Sequence, residues 1–398
     1  MKTSNKCYGC SFDLINVISF DEQPISNRYL SEKESSEDTY PLILGQCSSC
    51  KLTQLINPAL SEQITPKIPG ISYNEPESHL DDFVEIITKL PGINNDSCFL
   101  GLSYKEDSTI KRLNKVGFFN TYRLDPVTDL EIKNPYAGIE LIQHQISNFR
   151  AAKLPKGKKA DILFARHIIE HAVDIKSFVS GLLSICNPNA YVIFEVPDCT
   201  KIFNNSDYAY VWEEHIAYFT EITFINTLQT FGLEVVELVR YPYQIEDSLI
   251  AITRRSKTNL DTKRTDSANL FFKYTLDQMR HKYAQALEPF KGSTILFGAG
   301  HLSVKLINLL QLKDFFEAVI DDDPVKNGKF MPGSHLPIVS SEILYQHKYN
   351  LCLLTLSPES SGKVKTKFSD FERQNGIFLS AFSSDSDSIL SYNVKTVS

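Results

Sequence analysis

The chain has 398 residues, more than one typical domain, so two or three domains that each bury a core are expected. Its 42% hydrophobic and 22% charged residues are ordinary for a globular protein, and a net charge of −7 with a pI near 5.8 argues against a nucleic-acid or acidic-membrane surface. Met1 to Lys6 lead into no apolar stretch and no run approaches membrane-spanning length. The expected place is the cytoplasm, where eight cysteines serve as thiols or metal ligands rather than disulfides.

Cys7-Tyr8-Gly9-Cys10 and Cys47-Ser48-Ser49-Cys50 are two C-x-x-C pairs. Each suits a tight turn aiming two thiolates at one ion, and two such turns complete a tetrahedral four-cysteine zinc site. The segment between them exceeds an ordinary zinc ribbon's, so an insertion with structure of its own is expected, with Phe12 to Phe20 and Tyr40 to Leu44 as short strands. The competing reading, one redox-active pair, suits a strand-to-helix junction, and neither pair stands at one. Ile64 to Ser78 reads as a linker, and within it Tyr73 is by itself an ordinary surface or packing residue.

His79 to Leu90 sets Leu80, Phe83, Ile86, Ile87 and Leu90 at helical spacing before Pro91-Gly92. Ser97 to Leu100 then reads as a strand ending at Gly101, where a missing side chain lets backbone approach a ligand closely. Phe99 stands two positions before that glycine, no further glycine follows in the turn, and Lys105 would repel a cationic ligand. After a helix over Ile110 to Val116, the strand Phe118 to Pro126 carries Asp125 at its end. An acid there either takes the ribose hydroxyls of a bound nucleoside or simply opens a turn before Pro126. Residues 150–159, with Lys153, Lys156, Lys158 and Lys159, read as a solvated basic loop.

Ala160 to Ala165 is an apolar run expected as a buried parallel strand. Arg166-His167-Ile168-Ile169-Glu170-His171 follows, then a helix to Ile185 broken by Asn187-Pro188-Asn189, and a second strand from Tyr191 to Asp198. Trp212-Glu213-Glu214-His215-Ile216-Ala217-Tyr218-Phe219 comes next. Two clusters of His and Glu thus follow strand ends, where open α/β sheets bind their ligands. His167 to His171 also fits H-x-x-E-H, the inverted zinc-peptidase pattern, or a plain helix N-terminus favouring Glu170.

Phe224 to Phe231 reads as a helix, Leu233 to Val239 and Asp247 to Thr253 as strands, Arg254 to Asp266 as a charged linker, and Leu270 to Leu287 as a helix. Thr294 to Phe297 then enters a Gly298-Ala299-Gly300 turn, a helix over Val304 to Leu310 and a strand ending at Asp321, a Rossmann-like half in which Ser303 holds the third glycine's place. The tail after Phe382 reads as a mobile end.

With these motifs in order the sequence resembles the sugar C-methyltransferase family, three-domain enzymes that methylate deoxysugar nucleotides with S-adenosylmethionine. The resemblance rests on the paired C-x-x-C turns, Arg166-His167 with Glu170-His171, Glu195-Val196-Pro197-Asp198, Glu214-His215 with Tyr218-Phe219, and the segments Asp321 to Gly328 and Met331 to Ile338. It implies an α/β protein with an N-terminal zinc module (1–65), a central class I methyltransferase-like doubly wound sheet (66–257), a linker helix (258–292) and a C-terminal Rossmann-like substrate domain (293–398). It implies S-adenosylmethionine near Gly101, Asp125, Arg166 and His167, and structural zinc on Cys7, Cys10, Cys47 and Cys50. His215 matches the family's general base, Glu214 its neighbour, and His171 and Tyr73 the groups that steady an enolate. The implied partner is a nucleotide-linked keto-deoxysugar, the implied state a monomer or weak homo-oligomer. Two departures, the depleted glycine turn and Trp212 where the family often has an aromatic hydroxyl, leave open a catalytically silent relative that binds nucleotide sugar or a partner protein. Nicotinamide-dinucleotide binding is the competitor in the last domain.

Overall fold

Apolar runs bounded by Pro, Gly and Asn become strands in three sheets of the computed structural model, which describes residues 5–65, 67, 76–134, 138–148, 159–257, 271–346 and 348–392. The chain divides into two units: Met1–Ile18, Ile43–Cys199 and Glu214–Leu270 form the first, and Ser19–Leu42, Thr200–Glu213 and Phe271–Ser398 the second. Strands β1 (Leu14–Pro24), β2 (Thr39–Cys47) and β3 (Thr53–Leu55) make a small sheet in that order, completed by Ala217–Tyr218 on β3.

The main sheet of the first unit runs β5–β4–β6–β7–β10–β9. Here β4 is Phe99–Gly101, β5 Thr121–Arg123, β6 Ala160–Arg166 and β7 Cys186–Asp198, all parallel; with Ala217–Tyr218 counted as β8, β9 is Leu233–Tyr241 and β10 Asp247–Arg255. The last strand, β10, inserts antiparallel between β7 and β9. Strand β6 is apolar throughout its middle because both its faces are covered. Leu163 and Ala165 pack with Phe178 and Leu182, while Ile162 and Phe164 pack with Leu80 and Phe83. The zinc-site residues Cys7 and Cys47 belong to the same core cluster as Leu163 and Phe194.

One expectation is corrected here. Asn187-Pro188-Asn189 does not separate helix from strand; it lies inside β7 as an irregularity. Ala160 pairs with Cys186 but Ile162 with Tyr191, so the extra residues loop out opposite Asp161, where Pro188 costs no ladder bond and Asn187 Nδ2 donates to Asp161 Oδ1 at 2.7 Å. Tyr73 and Lys153, Lys156 and Lys158 lie outside the described residues.

In the second unit β11 (Thr294–Phe297), β12 (Val319–Ile320), β13 (Ile338–Val339), β14 (Leu351–Leu354) and β15 (Ile377–Ser380) form an all-parallel sheet in the order β13–β12–β11–β14–β15, a doubly wound arrangement. Among the described residues no helix is long and apolar enough to cross a membrane.

Candidate functional site

The four N-terminal cysteines converge. Cys7 Sγ lies 3.6 Å from Cys50 Sγ and Cys10 Sγ 3.3 Å from Cys47 Sγ, with all four ligand atoms within 4.8 Å of one another. A zinc ion with sulfurs at about 2.3 Å needs them roughly 3.8 Å apart, so the donor set fits. Each pair sits on a turn that closes in the left-handed region, at Ser11 and at Lys51. The turn amides of Gly9, Ser49 and Cys50 point at Cys7 and Cys47 sulfurs from 3.3–3.4 Å, the polarity thiolates require. Contacts with Cys10, Cys50 and Cys7 pull the Cys47 thiol down, while Cys10 and Cys47 push the Cys7 thiol up. Four thiolates leave no open position, so the zinc is structural.

The second centre lies where the chain leaves β4 for β5 on one side and β6 on the other, the switch point of the sheet. A Cβ at Gly101 would meet Glu106 Cβ at 2.7 Å, so only glycine fits. The Glu106 side chain folds back into the turn: Oε2 accepts from Ser103 N at 2.7 Å and Oγ at 3.0 Å, and Oε1 accepts from Arg166 N at 2.9 Å. Burial raises its pKa against those donors. Lys105 is also buried.

Arg166, 1% exposed, donates from Nε to Glu195 and from Nη1 to the Lys105 carbonyl. Its Nη2 is buried with no hydrogen-bond partner among the described residues. Glu195 gathers His79 Nε2 at 3.0 Å, His167 Nε2 at 3.3 Å and Ser248 Oγ at 2.8 Å. Burial opposes its charge, yet the Arg166 guanidinium, helped by His167 and His79, holds it well below the usual carboxylate range. His167 itself has a positive φ of 47° and donates its amide to Glu195 O at 2.8 Å. One strand along, Asp125 is exposed beyond β5; its Oδ1 accepts from Val127 N at 2.9 Å and Thr128 N at 2.8 Å, with Thr128 first among the contacts lowering its pKa.

These residues fit S-adenosylmethionine. An orphaned buried guanidinium nitrogen suits a carboxylate, an exposed acid on the adjoining strand end suits ribose hydroxyls, and Gly101 keeps the backbone bare between them. The turn departs from a bare glycine loop in having no glycine after Gly101 and in carrying buried Lys105 and Glu106.

The third centre joins the two His/Glu segments. His171 ends a short 3-10 turn, Ile169–His171, and His215 precedes β8. Ile216 N donates to Glu170 O at 2.8 Å, which clamps the segments together. The two imidazoles then meet edge to face. Glu140, in the first turn of the helix Ile139–Asn148, brings Oε1 to 3.3 Å from His171 Nδ1. Although burial opposes its charge, His171 keeps the Glu140 pKa lowered, and Glu214 shares a hydrogen bond with it. Glu170 is fully buried, with neither carboxylate oxygen hydrogen-bonded among the described residues and His167 Nδ1 3.6 Å away.

The sequence-predicted His171, Glu214 and His215 are thus brought together, as are Gly101, Arg166 and His167 around the switch point. The zinc-peptidase pattern fails: His167 sits in a left-handed kink, His171 on a separate turn, and the α-helix begins only at Ile175, capped by Asp174, so the two rings share no helical face. Glu170 does sit in a first turn, that of the short 3-10 segment Ile169–His171 and not that of the α-helix. Sequence reasoning missed Glu140, Glu106 and the hub role of Glu195; no local pattern marks the first two, while Glu195 stands in a quoted motif.

In the second unit Trp212 stacks on His301, centroids 3.9 Å apart. Glu213 is fully buried against Lys305 Nζ at 2.9 Å, with Tyr40 Oη donating to it at 2.9 Å. Asp321 Oδ2 accepts from Ala299 N at 2.9 Å in the Gly298-Ala299-Gly300 turn and from Lys326 Nζ at 3.0 Å.

The sequence matches three family models in chain order: a zinc binding domain over 7–64, a methyltransferase domain over 81–238 and a C-methyltransferase C-terminal domain over 250–382. The C-methyltransferase NovU of Streptomyces niveus is 20% identical over 393 residues, covering 88% of this chain and 89% of its own. Among solved structures, an S-adenosylmethionine-dependent methyltransferase from Clostridium acetobutylicum ATCC 824 overlaps 46% of this chain and 93% of its own at 12% identity and a TM-score of 0.32. The 1,6-didemethyltoxoflavin-N1-methyltransferase of Burkholderia thailandensis covers 45% and 78% at 12% identity and 0.31. Overlaps this low add nothing to the family models.

Proposed function

We propose, on the three family models matched in chain order, that this chain is a three-domain, S-adenosylmethionine-dependent C-methyltransferase that methylates a carbon beside the keto group of a nucleotide-linked deoxysugar. The observation that carries the reading is the His171–His215 pair, backed by Glu140 and Glu214. Removing a proton beside a ketone calls for a base that titrates near neutrality and a donor at the oxygen that gains charge. His215 takes the proton, with Glu214 beside it. The electron pair moves onto the carbonyl oxygen, where His171, oriented by Glu140, donates a hydrogen bond.

Bound S-adenosylmethionine supplies the methyl group. Arg166 Nη2 would take its carboxylate and Asp125 its ribose hydroxyls, with His167 and Gly101 shaping the crevice between. Tyr73 belongs to this reading as a further donor to the enolate. The C-terminal residues 293–398 would hold the nucleotide, and a cytoplasmic monomer or weak homo-oligomer completes the proposal.

A second reading, a silent relative that binds nucleotide sugar or a partner protein, is favoured by Lys105 and Glu106 lying buried in the glycine turn. One experiment separates them. Incubation of a nucleotide-linked keto-deoxysugar with the protein in deuterated water should incorporate deuterium beside the keto group, and added S-adenosylmethionine should convert it to the methylated sugar. Absence of exchange together with absence of cofactor binding by calorimetry would leave the silent relative.

A further inference from the structure

We propose that Glu170, His171 and His215 form a second metal site, one that binds a divalent transition-metal ion such as Zn²⁺ and thereby blocks the base. Each of the three offers a ligand atom, and these atoms lie within 4.8 Å of one another. A zinc ion holds nitrogen and oxygen ligands at about 2.0–2.2 Å, so in tetrahedral geometry they stand roughly 3.4 Å apart. The Ile216 N to Glu170 O bond of 2.8 Å already holds the two backbone segments together, so the three side chains start from at most 4.8 Å apart.

A second, independent feature points to a cation. Glu170 is 1% exposed and, among the described residues, neither of its carboxylate oxygens has a hydrogen-bond partner. A carboxylate withdrawn from water without a donor is costly, and a cation at the site compensates it directly. Around it, His167 Nδ1 stands 3.6 Å away, too far for a hydrogen bond, and Glu140 lies against His171 Nδ1 at 3.3 Å. That carboxylate behind an imidazole is the support that metal-ligating histidines ordinarily have. The fit differs from that of the four-cysteine centre. Two imidazoles and one carboxylate leave a fourth position open, so the ion would be exchangeable, whereas four thiolates enclose theirs.

The consequence is chemical. A ring nitrogen of His215 that ligates a metal cannot accept a proton, so the bound ion is an inhibitor. The inhibition rests on His215 being the base, as proposed above, whereas the metal binding itself requires neither that role nor the sugar substrate to be correctly identified.

Full-length protein carrying its structural zinc is dialysed against micromolar Zn²⁺ without substrate or cofactor, and bound zinc is counted by elemental analysis. Two equivalents are expected for the unmutated protein, one of them removed by brief treatment with a mild chelator. Glu170→Gln, His171→Ala and His215→Ala should each weaken the removable equivalent at least tenfold while keeping the first. Retention of the first equivalent also reports that the variants fold. His281→Ala, an exposed histidine elsewhere, should bind both. A single equivalent in the unmutated protein, or a removable equivalent unaffected by all three substitutions, overturns the proposal.

Discussion

The imidazoles of His171 and His215 stand edge to face, with centroids 4.8 Å and planes 86° apart. One ring thus presents its edge to the other's face, with a ligand nitrogen of each within 4.8 Å of the other's. That geometry suits a base and a donor acting on neighbouring atoms of one substrate better than two interchangeable bases.

The division of labour is testable. Positioned general bases typically contribute about 10²–10⁴-fold. His215→Ala should lower turnover and deuterium exchange by that order while S-adenosylmethionine affinity, read by calorimetry, stays nearly unchanged. If turnover survives His215→Ala and collapses in His171→Ala, the roles are reversed.

Cofactor binding at the strand ends should depend on Asp125. Because its Oδ1 also caps the turn at Val127 and Thr128, the alanine variant loses turn and acceptor together, whereas Asp125→Asn keeps an oxygen for the turn. Asp125→Ala should weaken S-adenosylmethionine binding on the order of tenfold to a hundredfold, and Asp125→Asn should also bind weakly, since it lacks the charged acceptor. Unchanged affinity in both would remove Asp125 from the cofactor site.

The zinc centre should be needed for folding. Cys47 lies at the end of β2 with its amide donating to Leu52 O at 2.8 Å and shares the core cluster of the main sheet. Cys47→Ser should therefore lose the tightly held zinc and melt at lower temperature. Elemental analysis and a thermal melt check both, and full zinc retention would rule the ligand set out.

Asp207 gives a pH dependence with a definite sign. Burial pushes its pKa up to about 6, against hydrogen bonds from Ser383 Oγ at 2.8 Å and Ser383 N at 3.3 Å. A carboxyl group raised in the folded state binds its proton more tightly there than when unfolded. Stability is therefore greatest below the unfolded value near 4 and is lost as pH rises to about 6, by roughly 3 kcal/mol in total. Asp207→Asn should flatten that part of the stability curve measured by urea unfolding between pH 4 and 7. An identical curve for both proteins would refute the linkage.

Much of the architecture was written locally. Two C-x-x-C turns specify their ligand geometry within four residues each, and the unbroken apolar run of β6 announces a strand covered on both faces. The position of His171 just beyond the end of β6 was likewise readable, because a polar cluster that directly follows an apolar run falls at the sheet's carboxyl edge, whereas His215 stands before β8 and meets His171 only through the tertiary fold. What only the tertiary structure decided is which side chains from distant segments face one another. Glu140 reaches His171 from a helix with no motif, Glu106 turns back into the loop it follows, and Glu195 collects Arg166, His167, His79 and Ser248 from separate stretches. Strand order and register set those encounters, and neither leaves a mark on the residues nearby. A buried charge declares only that it needs a partner; which partner it finds follows from the strands that happen to end beside it.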